Sequence, residues 1–563
     1  MAGRRSSPRY CTSPLRSILI GWLKLPKNCV RRWCMFRGPK SQPVKKFTGR
    51  VRVKQAYLIG VDLGTSSTKA ALYTAAGQKV AEATLEVPLY YPRPGVVEQE
   101  NDDFYATAAQ TVKTCLQQSG IDPRQVAAIA FDSQMAGIGA VDEAYRPAIR
   151  FDSWLDMRCQ PYIDFLNAHH AERITRLTGC PPTCDHGPKI LWWKEEQPEA
   201  YRRIVKFLPP SAYVAGKMAQ LRGEEAFMDV TFLHFTGFSD AQRGGWSDEL
   251  CGLLGVDPSK LPRIVEPWQV IGEVREQAAQ DFGLAAGTPI AAGCGDTAAN
   301  ALGAGITRAG MLFDVAGTAS VLAGCTDRFV ADTAHRALLT MRSVIPGLWH
   351  PLAYIAGGGL ALRWFRDQFY NTRRGRPLTT ENDLYAEMIA EALKAPPGCD
   401  GLFFSPHLGG RICPAQPAMR GAWLGFSWGH TQAHFIRAVL ESVAYEYAFY
   451  LSILRELVPD LQWQEARVAG GGARSPAWNQ IKADVLGVPY RALQGSEFGA
   501  WGSALIAGKA AGLFTDLAAM AEEHARLIEP GYPPEPERQA FYASRVEQYI
   551  RWQELLDWGF RAP

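Results

Sequence analysis

Apolar runs that stop on a carboxylate and a glycine turn recur along this chain. The first is Leu58-Ile59-Gly60-Val61, which breaks into Asp62-Leu63-Gly64-Thr65-Ser66-Ser67-Thr68-Lys69 before residues 70–73 turn apolar again. Two apolar runs flanking a turn of small and hydroxyl residues predict a β-hairpin. Residues 104–118 place apolar positions at near-helical spacing and stop at Gly120, which predicts a helix. Residues 126–131 read as a buried strand running into Asp132-Ser133-Gln134-Met135-Ala136-Gly137. Further helices are expected at 189–194 and 199–206, in a middle region rich in Trp and Pro. The run 289–293 opens into Cys294-Gly295-Asp296-Thr297, and the strand 312–315 ends in Ala316-Gly317-Thr318-Ala319-Ser320. Strand 352–355 leads into Gly357-Gly358-Gly359 and a helix through Phe369, and 435–454 predicts a long buried helix. Val468-Ala469-Gly470-Gly471-Gly472-Ala473 is a strand and glycine turn ahead of a helix through Leu486, and 499–511 is a helix of small residues. Strands alternating with helices predict an α/β protein.

The turns carry chemistry of their own. Small residues let backbone approach an anion closely, and their N–H and O–H groups donate to phosphate oxygens. An aspartate beside such a turn suits a hydrated magnesium ion, which makes Asp62 a candidate. The turn is not a Walker A loop, whose spacing is missing. One such turn opens each half of the chain, at 62–68 and at 313–320. Two similar α/β domains facing each other across a cleft follow, divided near 305–309.

Composition sharpens the picture at the N-terminus. The 563 residues carry 60 Lys or Arg and 56 Asp or Glu, but residues 1–54 hold fifteen basic residues and no acidic one. The body is therefore mildly acidic, which argues against a nucleic-acid-binding core. Residues 1–54 read as a basic, disordered tail. An Arg-rich, acid-free start can mimic an organellar transit peptide, and an over-extended translation start with Met35 as the later one is the plain alternative. Their single apolar stretch, 18–23, is too short to span a membrane, and no later stretch is long and charge-free enough. The twelve cysteines are spread singly, which implies reduced thiols and a cytoplasmic setting. Cys180, Cys184 and His186 lie close in sequence, but without a second cluster they make a weak zinc candidate.

Taken together, Asp62 to Lys69, the segment 293–305, Gly317-Thr318, the segment 420–441 and the segment 469–475 resemble the FGGY family of carbohydrate kinases. Among its members the pentulose kinases of xylulokinase type are nearest. The likeness runs from about residue 57 to about 515. Gly421-Ala422-Trp423-Leu424-Gly425-Phe426 with His434-Phe435 resembles the family's C-terminal signature, with Phe426 in place of an aliphatic residue. The 406–411 segment has Gly410 where the family has Glu. The resemblance implies two actin/hexokinase-like, ribonuclease H-like domains flanking an active-site cleft: 55–306 for sugar and phosphate, 307–545 for nucleotide, and a helical tail at 546–563.

It also implies roles. Transfer of the γ-phosphoryl of ATP to an alcohol needs positioning, charge neutralisation and a base. Asp296 is the expected base; taken alone, an Asp there equally fits a cap of the following helix. Gly64, Thr65, Ser66, Ser67, Lys69, Gly317 and Thr318 would face the phosphates. Gly471, Gly472 and Ala473 would form the adenosine turn, and Asp62 would hold magnesium. Gln134, Met135, Asp156 and Arg158, with Asp296, would face the sugar; for Arg158 the plain alternative is a salt bridge. Two departures bear on the acceptor: xylulokinases carry His where this chain has Ala136 and Asn where it has Thr297. Glycerol is disfavoured, because 132–135 lacks the Asn-Gln-Arg-Glu of glycerol kinases. The expected ligands are a small sugar or polyol, ATP and Mg2+, without nucleic acid or membrane; a homodimer is a compatible assembly. A non-catalytic sugar or nucleotide sensor on the same fold is the alternative, and a chaperone-like or filament-forming ATPase would not need Gln134, Asp156 and Arg158.

Overall fold

The computed structural model describes residues 56–370, 381–495 and 497–561, and the basic N-terminal segment with its two readings lies outside them. Strands β1 (Tyr57–Leu63) and β2 (Ser67–Thr74) form the expected antiparallel hairpin, pairing Asp62 with Lys69 across the turn. With β3 (Lys79–Glu86), β4 (Val126–Ser133), β5 (Val270–Glu273) and β6 (Pro289–Ala291) they build one sheet in the order β5-β6-β4-β1-β2-β3, and the short β7 (Cys294–Gly295) also pairs with β4. β1 runs parallel to β4, and β4 parallel to β6.

The second half repeats this plan. Strands β8 (Met311–Ala316), β9 (Ser320–Gly324), β10 (Leu339–Arg342), β11 (Trp349–Ile355), β12 (Glu465–Ala469), β13 (Tyr490–Leu493) and β14 (Leu527–Tyr532) form a sheet in the order β10-β11-β9-β8-β12-β13-β14. β8 and β9 are again an antiparallel hairpin, and β8 is again parallel to a strand that arrives after a long excursion, β12. In each half the first strand thus sits at the centre, with its hairpin partner on one side and a parallel strand on the other.

β1 is buried along nearly its whole length, as a strand covered on both faces must be. Helix α1 (Asn101–Ser119) packs with Phe104, Ala108, Val112, Cys115 and Leu116 buried in one stripe, and ends on Gly120 at φ 64°. Helices α2 (Asp296–Gly303), α3 (Gln432–Leu457), α4 (Pro476–Leu486) and α5 (Phe498–Ala510) follow in chain order. α5 is buried on every side from Gly499 to Gly508, because it lies between β1 and α2. Only glycine allows this approach: a methyl group on Gly60 would stand 1.8 Å from Ala500 O, and one on Gly502 2.1 Å from Ala299 O.

Two expected helices end early. The 199–206 stretch is helical only over Pro198–Arg203, since Lys206–Leu208 joins a sheet edge against Ile138–Val141. The helix expected through Phe369 is α-helical over Gly358–Phe365 and continues as a π turn, Arg366–Tyr370. Near the C-terminus α6 (Pro536–Arg561) is one helix running through residue 545, with Tyr542, Tyr549 and Gln553 buried against the second half. Among the described residues no helix is long and apolar enough to cross a membrane.

Candidate active site

Three parallel strands bring three carboxylates together at their C-terminal ends. The register sets Asp62 beside Asp132 and Cys294 beside Asp132, so Asp296, one residue beyond β7, emerges next to them. Burial, reinforced by the charge of Asp62, raises the Asp296 carboxyl to about 7. Burial also raises Asp62, to about 6, against the pull of Lys69. Asp132 is pushed well above the usual carboxylate range by burial and by its two acidic neighbours. Asp296 is the first residue of α2, whose N-cap is Gly295. Its Oδ1 accepts from the Thr297 backbone N–H at 2.6 Å and from the Thr297 hydroxyl at 3.1 Å.

The first glycine turn is braced from behind. The Gly64 N–H donates to Ser67 O at 3.0 Å, closing the turn. Trp154 Nε1 donates to Thr65 Oγ1 at 2.8 Å and Gln99 Nε2 to Thr65 O at 3.0 Å. Ser66 is exposed, and Gly64, Thr65 and Ser67 are half-buried, so the turn offers donors to a ligand. Lys69, across from Asp62, pairs with Glu497 at 3.5 Å.

The second turn is joined to the expected adenosine turn. Gly471–Arg474 form a 3-10 turn after β12, and methyl groups on Gly470 or Gly472 would meet Ala316, the last residue of β8, at 2.8 and 2.7 Å. Gly317 and Thr318 follow Ala316 directly, so the two turns are neighbours; Thr318 and Gly471 are exposed, Gly317 and Gly472 half-buried and Ala473 buried. The triplet 357–359 packs from the other side, where Gly359 N–H donates to Gly317 O at 3.2 Å and Leu360 N–H to Thr318 O at 3.0 Å.

The residues expected to face sugar fall into two groups. Met135 lies against the base-bearing segment, since a methyl on Gly295 would stand 2.5 Å from its sulfur. Gln134 is buried, donating from Nε2 to Gln99 Oε1 at 2.8 Å and accepting from Thr65 Oγ1 at 3.4 Å. Between them and Gly137, Ala136 holds φ 60°, a left-handed conformation that alanine rarely adopts. Asp156 and Arg158 form an enclosed ionic knot. Asp156 is wholly buried and accepts from Val97 N–H at 2.7 Å and from Arg158 Nε and a terminal nitrogen at 2.9 and 2.7 Å. Arg158 also reaches Glu98 at 2.7 Å and Asp152 at 3.5 Å, and its guanidinium lies 5.0 Å over the Trp192 ring. Burial raises Asp152 to about 7 despite this neighbour.

Sequence reasoning quoted Asp132 without giving it a role. The signal was present: residues 126–131 end in Asp132 as Leu58-Ile59-Gly60-Val61 end in Asp62. Its partner Ser503 carried no such mark. The carboxylates fit magnesium. Asp132 Oδ1 is buried without a hydrogen-bond partner, and a methyl on Gly499 would fall 3.3 Å from it and 3.5 Å from Asp62 Oδ2. No group of three or more His, Cys, Asp or Glu among the described residues forms a self-contained metal site. One or two carboxylates completed by substrate phosphates and water is how magnesium is commonly held.

Comparison with known proteins identifies both halves. Residues 57–303 match the N-terminal domain of the FGGY family of carbohydrate kinases, and residues 313–511 match its C-terminal domain. A xylulose kinase of Bacillus subtilis (strain 168) is 26% identical over 482 residues, covering 85% of this chain and 93% of its own. A gluconokinase of the same organism is 27% identical over 443 residues, covering 77% and 83%. The crystal structure of xylulose kinase from Rhodospirillum rubrum superposes with a TM-score of 0.80 at 25% identity, over 90% of this chain and all of that one. With both domains present in order, the chain belongs to the FGGY family of carbohydrate kinases and is an ATP-dependent sugar phosphotransferase.

Proposed function

We propose that this kinase transfers the γ-phosphoryl group of ATP to a hydroxyl of a ketose or polyol of pentulose class, xylulose being the first candidate, with Asp296 as general base. The observation that carries the reading is Asp296 itself. It is a carboxylate raised to about 7 at the mouth of a strand, with its hydrogen bonds from Thr297 confined to one oxygen. A base tuned near the working pH accepts a hydroxyl proton without being permanently protonated.

The rest of the cluster serves positioning and charge. Gly64, Thr65, Ser66 and Ser67 from one turn and Gly317 and Thr318 from the other would donate to the phosphates, and Lys69 would add positive charge. Gly471, Gly472 and Ala473 would lie against the adenosine. Asp62 would hold magnesium, which when bound neutralises charge on the phosphoryl oxygens. Met135 would shape the acceptor side next to Gly295, while Gln134 sets Thr65 in place. Asp156 acts on the acceptor through Arg158, whose direction it fixes.

The test is coupled ADP release with Mg-ATP over a panel of pentuloses, hexuloses, polyols, gluconate and glycerol, with Asp296→Asn alongside. One acceptor that raises turnover well above background, and loses it in the variant, is expected. A flat panel with intact ligand binding would replace the kinase by a sensor.

A further inference from the structure

Asp132 is a buried carboxylate that the mechanism above does not use. It faces Asp62 from the neighbouring parallel strand and has no exposed surface. Ser503 donates to its Oδ2 at 2.7 Å, while Oδ1 has no hydrogen-bond partner. An unpaired carboxylate oxygen in the interior is costly unless a ligand meets it.

Gly499, which carries no side chain, lies beside that oxygen. A methyl group on Gly499 would stand 3.3 Å from Asp132 Oδ1, 3.5 Å from Asp62 Oδ2 and 3.2 Å from Asn300 Nδ2. Oxygens from two strands therefore converge above a residue with no side chain. Two facing carboxylates relieve their repulsion by sharing a proton or by holding a cation. The two carboxylates offer oxygen, which suits a hard divalent ion; the Asn300 amide nitrogen is committed to Asp296 O at 2.8 Å and is not a ligand.

We propose that Asp62 and Asp132 jointly hold the divalent cation, Asp132 Oδ1 being a second carboxylate ligand that binds the ion before nucleotide arrives. This rests on the reading of the site as a magnesium-dependent kinase centre, and it goes further by giving the ion a protein site of its own. Ser503 and the strand register keep Asp132 in place for it.

Mn2+ added to the nucleotide-free full-length chain, with free Mn2+ read by electron paramagnetic resonance, tests the proposal. Saturable binding is expected, weakened about 10- to 100-fold in Asp132→Asn and in Asp62→Asn. Gly499→Ala sets a methyl against both carboxylate oxygens without removing either and weakens binding likewise. Circular dichroism and melting temperature establish that each variant is folded; where Asp132→Asn does not fold, Gly499→Ala decides. Wild-type protein that takes up no Mn2+ without nucleotide overturns the two-carboxylate site, even in an active kinase. So does wild-type affinity in folded Asp132→Asn or Gly499→Ala. Mn2+ binding that needs both carboxylates, in a protein that phosphorylates no sugar, would instead remove the kinase reading and leave the metal site standing.

Discussion

Ser503 donates its hydroxyl proton to Asp132 Oδ2 at 2.7 Å across 371 residues of sequence. The bond fastens α5 to β4, so the floor of the carboxylate cluster is assembled from distant parts of the chain. Ser503→Ala leaves a second oxygen of a buried carboxylate unpaired. The expected loss is about 1–3 kcal/mol of stability, read as a lower urea midpoint at unchanged slope. An unchanged midpoint would show that the hydroxyl contributes nothing.

Asp296→Asn should lower kcat by about 10^2- to 10^4-fold with little change in KM for either substrate. A stability signature should accompany it. The carboxyl is raised from 3.8 to about 7 in the fold, so its contribution to stability is present below its ordinary value and is lost as pH rises through about 7. The melting temperature of Asp296→Asn relative to wild type should therefore climb between pH 5 and pH 8. A difference independent of pH would place the titration elsewhere.

Thr297 tunes the same group. Its hydroxyl bonds Asp296 Oδ1 at 3.1 Å and favours the charged form. Thr297→Val removes that bond and raises the carboxyl further. The acid limb of the kcat/KM profile, expected near 7 in wild type, should move upward by up to about one unit. A downward shift would contradict the assignment.

Much of this was legible from local signals. Asp62, Asp296, Gly317 and the 471–473 turn each end an apolar run, and a strand feeding a glycine turn is a pattern of a few adjacent residues. Gly120 marked the end of α1 because a left-handed cap leaves a glycine in the sequence. What stayed hidden depends on register and packing. The apolar run 126–131 marks Asp132 as a strand-end carboxylate, but that it stands beside Asp62 follows from parallel pairing, which no local pattern encodes. Glu98, Asp152, Asp156 and Arg158 meet through two strands and a loop, so the ionic partners of Arg158 beyond Asp156 could not be read from the 154–158 motif itself. The early stop at Arg203 reflects recruitment of Lys206–Leu208 to a sheet edge, a tertiary choice that overrides local helical pattern.

Lys482 and Asp314 form a fully buried ion pair at 2.5 Å in the second half, with Tyr447 donating to the other Asp314 oxygen at 2.8 Å. Lys482→Met strands the carboxylate and should cost about 3–5 kcal/mol. Adding Asp314→Asn should recover part of that loss, because no isolated charge then remains. Equal destabilisation of the single and double variants in chemical denaturation would refute the pair's coupling.

Ala136→Gly should stabilise the protein by about 1 kcal/mol, because glycine holds φ 60° without the clash that a Cβ meets. Differential scanning calorimetry reads the gain, and a lower melting temperature would mean that the methyl packs usefully against its surroundings.

The placement of α5 has a consequence for biosynthesis. The helix covers β1 of the first sheet, yet its residues follow β7 by roughly 200 positions. At about 5–20 residues per second a ribosome needs on the order of 10–40 s to cross that interval. During it the apolar face made by Leu58, Gly60 and their neighbours has no cover, so the first half cannot complete its core as an independent co-translational unit. Chaperone engagement of the nascent chain should therefore persist until residue 510 has cleared the exit tunnel, and fragments cut between the halves should aggregate separately yet fold when mixed early.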